Sequence, residues 1–280
     1  WLKMECAQPA GSFKQRGMGL ACQRAVEAGA RRLISSSGGN AGYAVAWAGR
    51  RLQVPVTVVV PSRTSAAMRE RIEEEGAEVV VFGQVWDDAH EEAQRLSVQT
   101  DGALIHPFDH PDVWAGNATM VAEIARELGR EPANVVLSVG GGGLLAGVRQ
   151  GIQAQGWSSV VWGVETHGAA SFAAALAAGK PVRLDQIDTI ALTLGAKQVC
   201  EAAVMPGGEL RSVLVSDADA VAAVERFVDD HRVLVEPACG AALAAVMGGK
   251  ISGAGPWVVV VCGGASASLS QLAAWRAAVA

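Results

Sequence analysis

The chain has 280 residues, half of them hydrophobic, so it can bury a large core without disulfide or metal support. Its net charge is −5 at pH 7, its 23 Lys and Arg residues are scattered, and no apolar run approaches the ~18 residues of a membrane span, so we expect neither nucleic acid nor a membrane as partner. The five cysteines are widely spaced and odd in number, which is typical of a protein of the reducing cytoplasm.

Short β-branched runs alternate along the chain with longer Ala-rich stretches. Uninterrupted apolar runs indicate strands that are buried on both faces, as in a parallel sheet. We therefore predict an α/β fold with helices on both faces, in which ligands bind beyond the carboxyl ends of the strands. The predicted strands lie at residues 33–34, 54–60, 78–82, 135–139, 160–165 and 257–262, and the predicted helices at 41–52, 65–75, 87–99 and 117–128.

The segment at residues 105–111 contains two prolines and shows no periodicity, so we predict an irregular crossing between two sub-domains. It also contains His106, Asp109 and His110, whose side chains are of the kinds that bind metals. Because these residues lack helical spacing and a cysteine partner, a structural loop is the favoured interpretation.

Four consecutive glycines, called the glycine cup below, lie between a predicted strand and a predicted helix. Glycine lets backbone N–H groups approach a phosphate closely, and the helix N-terminus adds positive potential. The pattern Gly141-x-Gly143-x-x-Ala146 also fits a dinucleotide-binding motif, with Glu165 about 20 residues further on where a ribose-binding acid belongs. This segment alone leaves NAD and other phosphate-bearing cofactors open. The cup consists of Gly140, Gly141, Gly142 and Gly143.

An earlier motif, Gly-Ser-Phe-Lys-Gln-Arg-Gly at residues 11–17, places Lys14 next to Phe13. A lysine amine forms a Schiff base when it is held near an aldehyde and deprotonated, and Phe13 can stack on a ring. Taken alone, Lys14 also fits an ordinary solvated loop residue. Pyridoxal 5′-phosphate (PLP) carries both an aldehyde and a phosphate, so Lys14 and the glycine cup together favour PLP over NAD.

Two further motifs follow predicted strands. Ser-Ser-Ser-Gly-Gly-Asn-Ala-Gly at residues 35–42 opens a helix, and its hydroxyl and N–H groups can bind an anion such as a carboxylate. A helix cap alone would need only one such residue. Cys262 ends the last predicted strand and precedes two glycines. A lone buried Cys is usually a small apolar side chain, but beside a pyridine nitrogen its neutral S–H is a weak hydrogen-bond partner.

Taken in order, these four motifs resemble those of the fold-type II PLP enzymes, and among them the L-serine/L-threonine dehydratases, over nearly the whole chain. The resemblance implies two open, mostly parallel sheets flanked by helices, as in the tryptophan synthase β-chain. It implies a large domain of residues 1–16 and 107–280 and a small domain of residues 17–106. The implied activity is α,β-elimination, which yields pyruvate or 2-oxobutyrate and ammonia, in a cytoplasmic homodimer.

The resemblance also assigns roles to individual residues. Lys14 would form the Schiff base and act as the catalytic base. The substrate would bind Ser37, Gly38, Gly39, Asn40 and Ala41. A monovalent cation such as K⁺ would bind Glu165 and the backbone of Ala169, Leu194 and Ala196, which makes Glu165 a cation ligand rather than a ribose binder. The cofactor would contact Phe13, Lys14, Asn40, Gly140, Gly141, Gly142, Gly143, Leu144 and Cys262.

The chain also departs from the resemblance. Gly38 stands where some serine dehydratases have Ala and the related serine racemases have Ser, so we expect looser substrate placement and little racemisation. The run after Cys262 lacks the Asn residues that are common in relatives. Enzymes that catalyse β-replacement are the alternative, because they share the fold. Their phosphate cup usually carries Thr residues, which the cup of this chain lacks. Because the chain opens with Trp1, we expect that the start of the protein is missing.

Overall fold

The computed structural model describes residues 1–280 and is an α/β structure with two parallel sheets. The last strand of the chain, β9, lies inside the larger sheet, where Val259 is opposite Leu2 on one side and Val136 on the other. No helix is both long and apolar enough to cross a membrane. The larger sheet contains, in spatial order, β1 (Leu2–Lys3), β9 (Trp257–Val260), β6 (Asn134–Ser138), β7 (Val160–Thr166) and β8 (Leu210–Val215).

The smaller sheet has four strands, which are also all parallel. Every residue of its strand at Val56–Val60 is buried, and so is every residue of Asn134–Ser138 in the larger sheet, because helices cover both faces of these strands. The predicted α/β class with parallel sheets is confirmed. The strands of the smaller sheet are, in spatial order, β4 (Glu78–Val81), β3 (Val56–Val60), β2 (Leu33–Ser35) and β5 (Ala103–Ile105).

Ten α-helices surround the sheets. The helix that begins at Lys14 packs against both the helix that begins at Asn40 and the helix that begins at Pro111. The helices are α1 (Lys14–Glu27), α2 (Asn40–Leu52), α3 (Ala66–Glu74), α4 (Trp86–Thr100), α5 (Pro111–Leu128), α6 (Gly143–Ala154), α7 (Ser171–Ala178), α8 (Asp217–His231), α9 (Pro237–Met247) and α10 (Leu269–Val279).

The buried apolar side chains form separate groups around the two sheets. One group of 41 residues runs from Met120 to Cys262 along the chain and surrounds the five-stranded sheet. Another group of 17 residues runs from Ala10 to Val113 and packs against the four-stranded sheet. The division into a domain of residues 1–16 with 107–280 and a domain of residues 17–106 stays a prediction. Ala10 and Val113, which it assigns to the large domain, pack with the group around the smaller sheet.

Local details of the structure differ from the sequence analysis. Lys14, for which a loop position was open, is the first residue of α1. The irregular crossing is shorter than predicted, because Ile105 still belongs to β5 and Pro111 already begins α5. Proline is favoured at the first turn of a helix, where its missing N–H would have no partner, so Pro111 starts this helix rather than breaking it. Strands β1, β5 and β8 were not predicted.

Candidate active site

The segment before Lys14 lies against the end of the last strand. The Phe13 backbone N–H donates to the Cys262 carbonyl at 2.9 Å, and the Gly264 N–H donates to the Gly11 carbonyl at 3.1 Å. Ser12 and Gly263 form an antiparallel bridge between these two bonds. Two motifs that are separated by nearly the whole chain therefore meet in the backbone itself.

The Lys14 amine lies in a buried environment that is less polar than water. Its Nζ donates to the Pro107 carbonyl at 2.5 Å, and its side chain lies beside the Phe13 ring, 5.3 Å from Nζ to the ring centroid. Burial lowers the pKa of Lys14 to about 8, against the opposing influence of Cys262, Glu236 and Cys200. A larger fraction of this amine than of an ordinary lysine is therefore unprotonated near neutral pH, as a Schiff-base lysine requires.

The glycine cup follows β6 and is packed so closely that side chains do not fit. A Cβ atom on Gly141 would overlap the Phe108 ring, and one on Gly143 would lie 2.5 Å from the Phe108 carbonyl oxygen. Gly142 has a φ of +86°, which favours glycine, and it caps α6. The N–H groups of Gly140, Gly141 and Gly142 donate no hydrogen bond within the protein. These free donors at a helix N-terminus fit a phosphate group.

Leu144 and Asn117 support the cup from behind. Leu144 is buried in the first turn of α6, and the Asn117 side chain donates to the Gly143 carbonyl at 3.0 Å. Cys200 donates its backbone N–H to the Gly141 carbonyl at 2.9 Å. With their carbonyls held from these sides, the N–H groups of the cup are fixed in direction.

The segment at residues 37–41, called the substrate loop below, joins β2 to α2. Ser37 accepts a hydrogen bond from the Gly39 N–H at 3.4 Å, and the preceding Ser36 hydroxyl lies 2.9 Å from His90 Nδ1. Asn40 is buried and begins α2, which also includes Ala41. This loop brings hydroxyl and amide groups to the N-terminus of a helix, where an anion is stabilised. The glycine cup lies at the N-terminus of another helix and offers backbone amides alone.

Asn40 is bound to a residue that sequence reasoning missed. Its Nδ2 donates to Glu236 Oε1 at 2.6 Å, while its Oδ1 accepts from the Ala265 N–H at 3.2 Å. Glu236 is 3% exposed, and burial raises its pKa, while donors from Ser266, Thr193 and Asn40 oppose this rise. The available signal was an acid directly before Pro237 in an otherwise apolar stretch, where a solvated surface residue would not be expected.

The space beside Gly38 is filled by Thr64. A Cβ atom on Gly38 would overlap the hydroxyl, methyl and Cβ of Thr64. Thr64 lies in the turn after β3, where its N–H donates to the Pro61 carbonyl at 2.9 Å. A side chain from another segment therefore occupies the volume that a larger residue at position 38 would take.

Cys262 is buried among other thiols and remains a neutral thiol. Its hydrogen bond with Cys239, together with burial, raises the pKa of Cys262 far above its ordinary value. All five cysteines are free. A neutral S–H is a weak hydrogen-bond partner, as a pyridine nitrogen at this strand end would require.

The four residues named for a cation lie around the end of β7. Glu165 is fully buried, and its two carboxylate oxygens accept from the N–H groups of Phe172 and Ala173 at 2.7 and 2.9 Å. Burial raises the pKa of Glu165 to about 7 against these two bonds. Ala169 and Leu194 are buried, and the Leu194 carbonyl accepts from the Ala196 N–H at 2.8 Å. Glu165 is inaccessible to a ribose ring, whereas its cation role stays a prediction.

The loop between β5 and α5 uses its histidines for its own backbone. His106 Nδ1 accepts from the Asp109 N–H at 2.8 Å, and His110 Nδ1 accepts from the Asp112 N–H at 3.2 Å. Burial lowers the pKa of His106 to about 4, with His90, Lys14 and His110 adding to the effect, so its ring is neutral. No group of three His, Cys, Asp or Glu side chains is arranged to hold a metal ion.

The site brings a readily deprotonated amine, a cup of free amide donors and an anion-binding loop to the carboxyl ends of parallel strands. This combination defines an α/β enzyme of the class that holds a phosphate-bearing aldehyde. A family model described as pyridoxal-phosphate dependent enzyme matches residues 1–263. The chain belongs to this family of PLP-dependent enzymes.

Named relatives resemble the chain over almost its entire length. It is 48% identical over 285 residues to a mouse protein named serine dehydratase-like, which covers 97% of this chain and 87% of the relative. It is 48% identical over 290 residues to human L-serine dehydratase/L-threonine deaminase, which covers 99% and 88%. The crystal structure of a fungal L-serine ammonia-lyase from Rhizomucor miehei superposes with a TM-score of 0.92 at 35% identity, over 99% of this chain and 91% of that one.

Proposed function

We propose that the chain is a PLP-dependent L-serine ammonia-lyase that also accepts L-threonine, giving pyruvate or 2-oxobutyrate and ammonia. The observation that carries this proposal is the Lys14 amine, whose pKa is lowered to about 8 and whose backbone segment is joined to the Cys262 strand end. The similarity to human L-serine dehydratase/L-threonine deaminase and to the fungal L-serine ammonia-lyase supports the substrate class.

Lys14 has two tasks in this reaction. When bound, PLP supplies an aldehyde for an amine and an electron sink for the substrate's α-carbon. With PLP bound, Lys14 Nζ would hold the cofactor, and the Lys14 amine, once free, would accept the α-proton of the substrate. The α-proton and the β-hydroxyl group would be lost together as water, and hydrolysis of the resulting enamine would give the oxo acid and ammonia. The lowered pKa keeps Lys14 available as a base near neutral pH.

The other cofactor contacts follow from the donors that the site presents. Asn40 would donate to the phenolic oxygen, Phe13 would lie against the ring, and the neutral Cys262 thiol would face the pyridine nitrogen. A neutral partner would leave that nitrogen unprotonated, which would favour loss of the β-hydroxyl over transamination. The phosphate would accept from backbone N–H groups of Gly140, Gly141, Gly142, Gly143 and Leu144.

The substrate loop binds the carboxylate of the amino acid. Its donors surround the first turn of α2, where the helix dipole favours a negative charge. Gly38 lies toward the reacting carbon with Thr64 packed on it. The loop residues with this role are Ser37, Gly38, Gly39, Asn40 and Ala41.

A monovalent cation such as K⁺ would bind Glu165 and the backbone carbonyls of Ala169, Leu194 and Ala196. The burial of the Glu165 carboxylate supports this role, since a buried charge needs partners. Activity in K⁺ should exceed activity in Na⁺ at equal ionic strength, and Glu165→Gln should remove the difference. Equal activity in both salts would count against the site, and tight NAD binding measured by calorimetry would count against PLP as the cofactor.

The enzyme works as a cytoplasmic homodimer on a small amino acid. The five free thiols support a reducing compartment, and the net charge of −5 makes nucleic acid an unsuitable partner. Light scattering of the purified chain should give twice the mass of 28.8 kDa. A monomer mass across the micromolar range would contradict the dimer.

The function is tested by one spectrum and one product assay. The purified chain supplied with PLP should absorb visible light, and borohydride should fix the cofactor mass on the peptide that contains Lys14. L-serine should give pyruvate and ammonia in equal amounts. A fixed cofactor without pyruvate, but with cysteine formed from O-acetylserine and sulfide, would favour β-replacement instead.

A further inference from the structure

Glu236 joins three segments of the site through its carboxylate. Oε1 accepts from Asn40 Nδ2 at 2.6 Å and from the Thr193 hydroxyl at 3.0 Å, and Oε2 accepts from the Ser266 hydroxyl at 2.6 Å. Asn40 begins α2, beside the four-stranded sheet, whereas Thr193 precedes Leu194 and Ser266 follows the last strand. A buried carboxylate with three donors is stabilised as an acceptor and holds each donor in a fixed direction.

The consequence for Asn40 is a fixed orientation of its amide. A side-chain amide has one oxygen and two N–H groups. The Asn40 oxygen accepts from the Ala265 N–H, and one of its N–H groups donates to Glu236. In the reverse orientation the oxygen would face a carboxylate oxygen and the NH₂ group would face a backbone N–H. One N–H group of Asn40 therefore remains to be used by a ligand.

We propose that Glu236 is a positioning residue that holds the Asn40 amide so that its second N–H is presented to the phenolic oxygen of the cofactor. The inference rests on the proposed function, because it needs PLP in the site. Through the same carboxylate, Glu236 ties the substrate loop to Thr193 and Ser266 on the side of the five-stranded sheet.

The first experiment is a mutant cycle on the holoenzyme. Glu236→Gln keeps an acceptor for Asn40, because the amide oxygen takes the place of Oε1, while Glu236→Ala leaves Asn40 free to rotate. We expect Glu236→Gln to keep the wild-type visible spectrum and the pH at the midpoint of its spectral change. We expect Glu236→Ala and Asn40→Ala to shift that midpoint equally and to weaken cofactor retention on dilution by about 10- to 100-fold, the range for one hydrogen bond to a charged group. The double mutant should be no worse than Asn40→Ala.

The second experiment reverses the pair, in case Glu236→Ala does not fold. Asn40→Asp alone places two carboxylates together and should lower the melting temperature. Asn40→Asp combined with Glu236→Gln restores a hydrogen bond between positions 40 and 236 with its polarity reversed. We expect the pair to recover the melting temperature but not the visible spectrum, since an aspartate at position 40 has no N–H for the cofactor.

Several outcomes would overturn the inference. They are additive effects of Glu236→Ala and Asn40→Ala, a Glu236→Gln enzyme as impaired as Glu236→Ala, and a reversed pair that recovers the wild-type spectrum. A wild-type chain that shows no visible band would instead count against the proposed function. A wild-type band that Glu236→Ala leaves unchanged would count against the role of Glu236 alone.

Discussion

The glycine cup and the substrate loop each follow a parallel strand and open a helix, yet they are built in different ways. The cup is made of backbone, with Phe108 packed so closely on Gly141 and Gly143 that no side chain fits. The loop is held by side chains from elsewhere, namely Glu236 on Asn40 and His90 on Ser36, the residue that precedes the loop. A site built from backbone is encoded by consecutive residues, whereas a site held by side chains depends on partners far along the chain.

We expect the strongest effect from removing the Lys14 amine, which serves both the glycine cup and the substrate loop. Lys14→Ala should abolish pyruvate formation from L-serine, because both the attachment point and the base are lost, while the cup and the loop still bind their anions. A general base alone contributes about 10²–10⁴-fold to a rate. The assay is pyruvate release with added PLP, and circular dichroism should confirm an unchanged fold. Substantial turnover by the folded mutant would contradict the role of Lys14.

A side chain added to the glycine cup tests whether the cup must be made of backbone alone. Gly141→Ala places a methyl group against the Phe108 ring, and such overpacking costs about 1–3 kcal/mol. We expect a lower melting temperature and weaker PLP binding, as measured by fluorescence titration. The matched control is Gly19→Ala in α1, where a Cβ meets nothing within 4 Å and alanine favours the helix by up to ~1 kcal/mol. Equal behaviour of the two variants would show that the cup tolerates side chains.

A smaller effect tests how the loop depends on distant partners. Gly38→Ser alone should lower kcat/KM, because its Cβ overlaps Thr64. Gly38→Ser with Thr64→Ala should recover turnover and raise D-serine relative to pyruvate, because the new hydroxyl can donate a proton on the face opposite Lys14. Chiral chromatography of the products from L-serine measures this ratio.

The wild type provides the control for this prediction. With glycine at position 38 it should form little D-serine. D-serine that appears in the wild type and disappears in Thr64→Val would assign the donor role to the Thr64 hydroxyl instead.

The smallest effect is a dependence on pH. The pKa of Lys14 is about 8, so its amine should react with added PLP faster as the pH rises from 7 to 9, and the rate should level off above that range. An ordinary lysine would continue to accelerate to pH values above 10. Stopped-flow measurement of the visible band in chain freed of cofactor gives the profile. A profile without a plateau below pH 10 would show that burial does not lower this pKa.

The sequence predicted those parts of the fold and site that consecutive residues encode. The apolar runs gave β3 and β6, and the cup was recognisable from four glycines. Strand β8 was missed because Arg211 and Ser212 interrupt its apolar pattern at the edge of the sheet. Helix α1 was missed because Gly17 and Gly19 weaken a helical pattern. Gly17 is nevertheless suited to this helix, since a Cβ there would lie 2.7 Å from the Val113 carbonyl oxygen of α5.

The parts of the site that could not be predicted are contacts between distant segments. Glu236 and Asn40 are 196 positions apart, and only the fold brings them together. Thr64 reaches Gly38 through a turn after the neighbouring strand, which no local pattern encodes. The motifs of the site are therefore recognisable in the sequence. The distant side chains that hold those motifs in place are seen only in the folded structure.

The position of β9 has a consequence for how the protein is made. The ribosome synthesises β9 last among the strands, yet β9 lies between β1 and β6, and the carbonyl of Cys262 just beyond it receives the N–H of Phe13. Until β9 is synthesised, the edges of β1 and β6 that it covers are unpaired. The segment that carries Lys14 also lacks its hydrogen bond to the Cys262 carbonyl. Pairings between distant segments form slowly and leave such edges exposed to aggregation. The nascent chain thus depends on β9 before it can capture a cofactor.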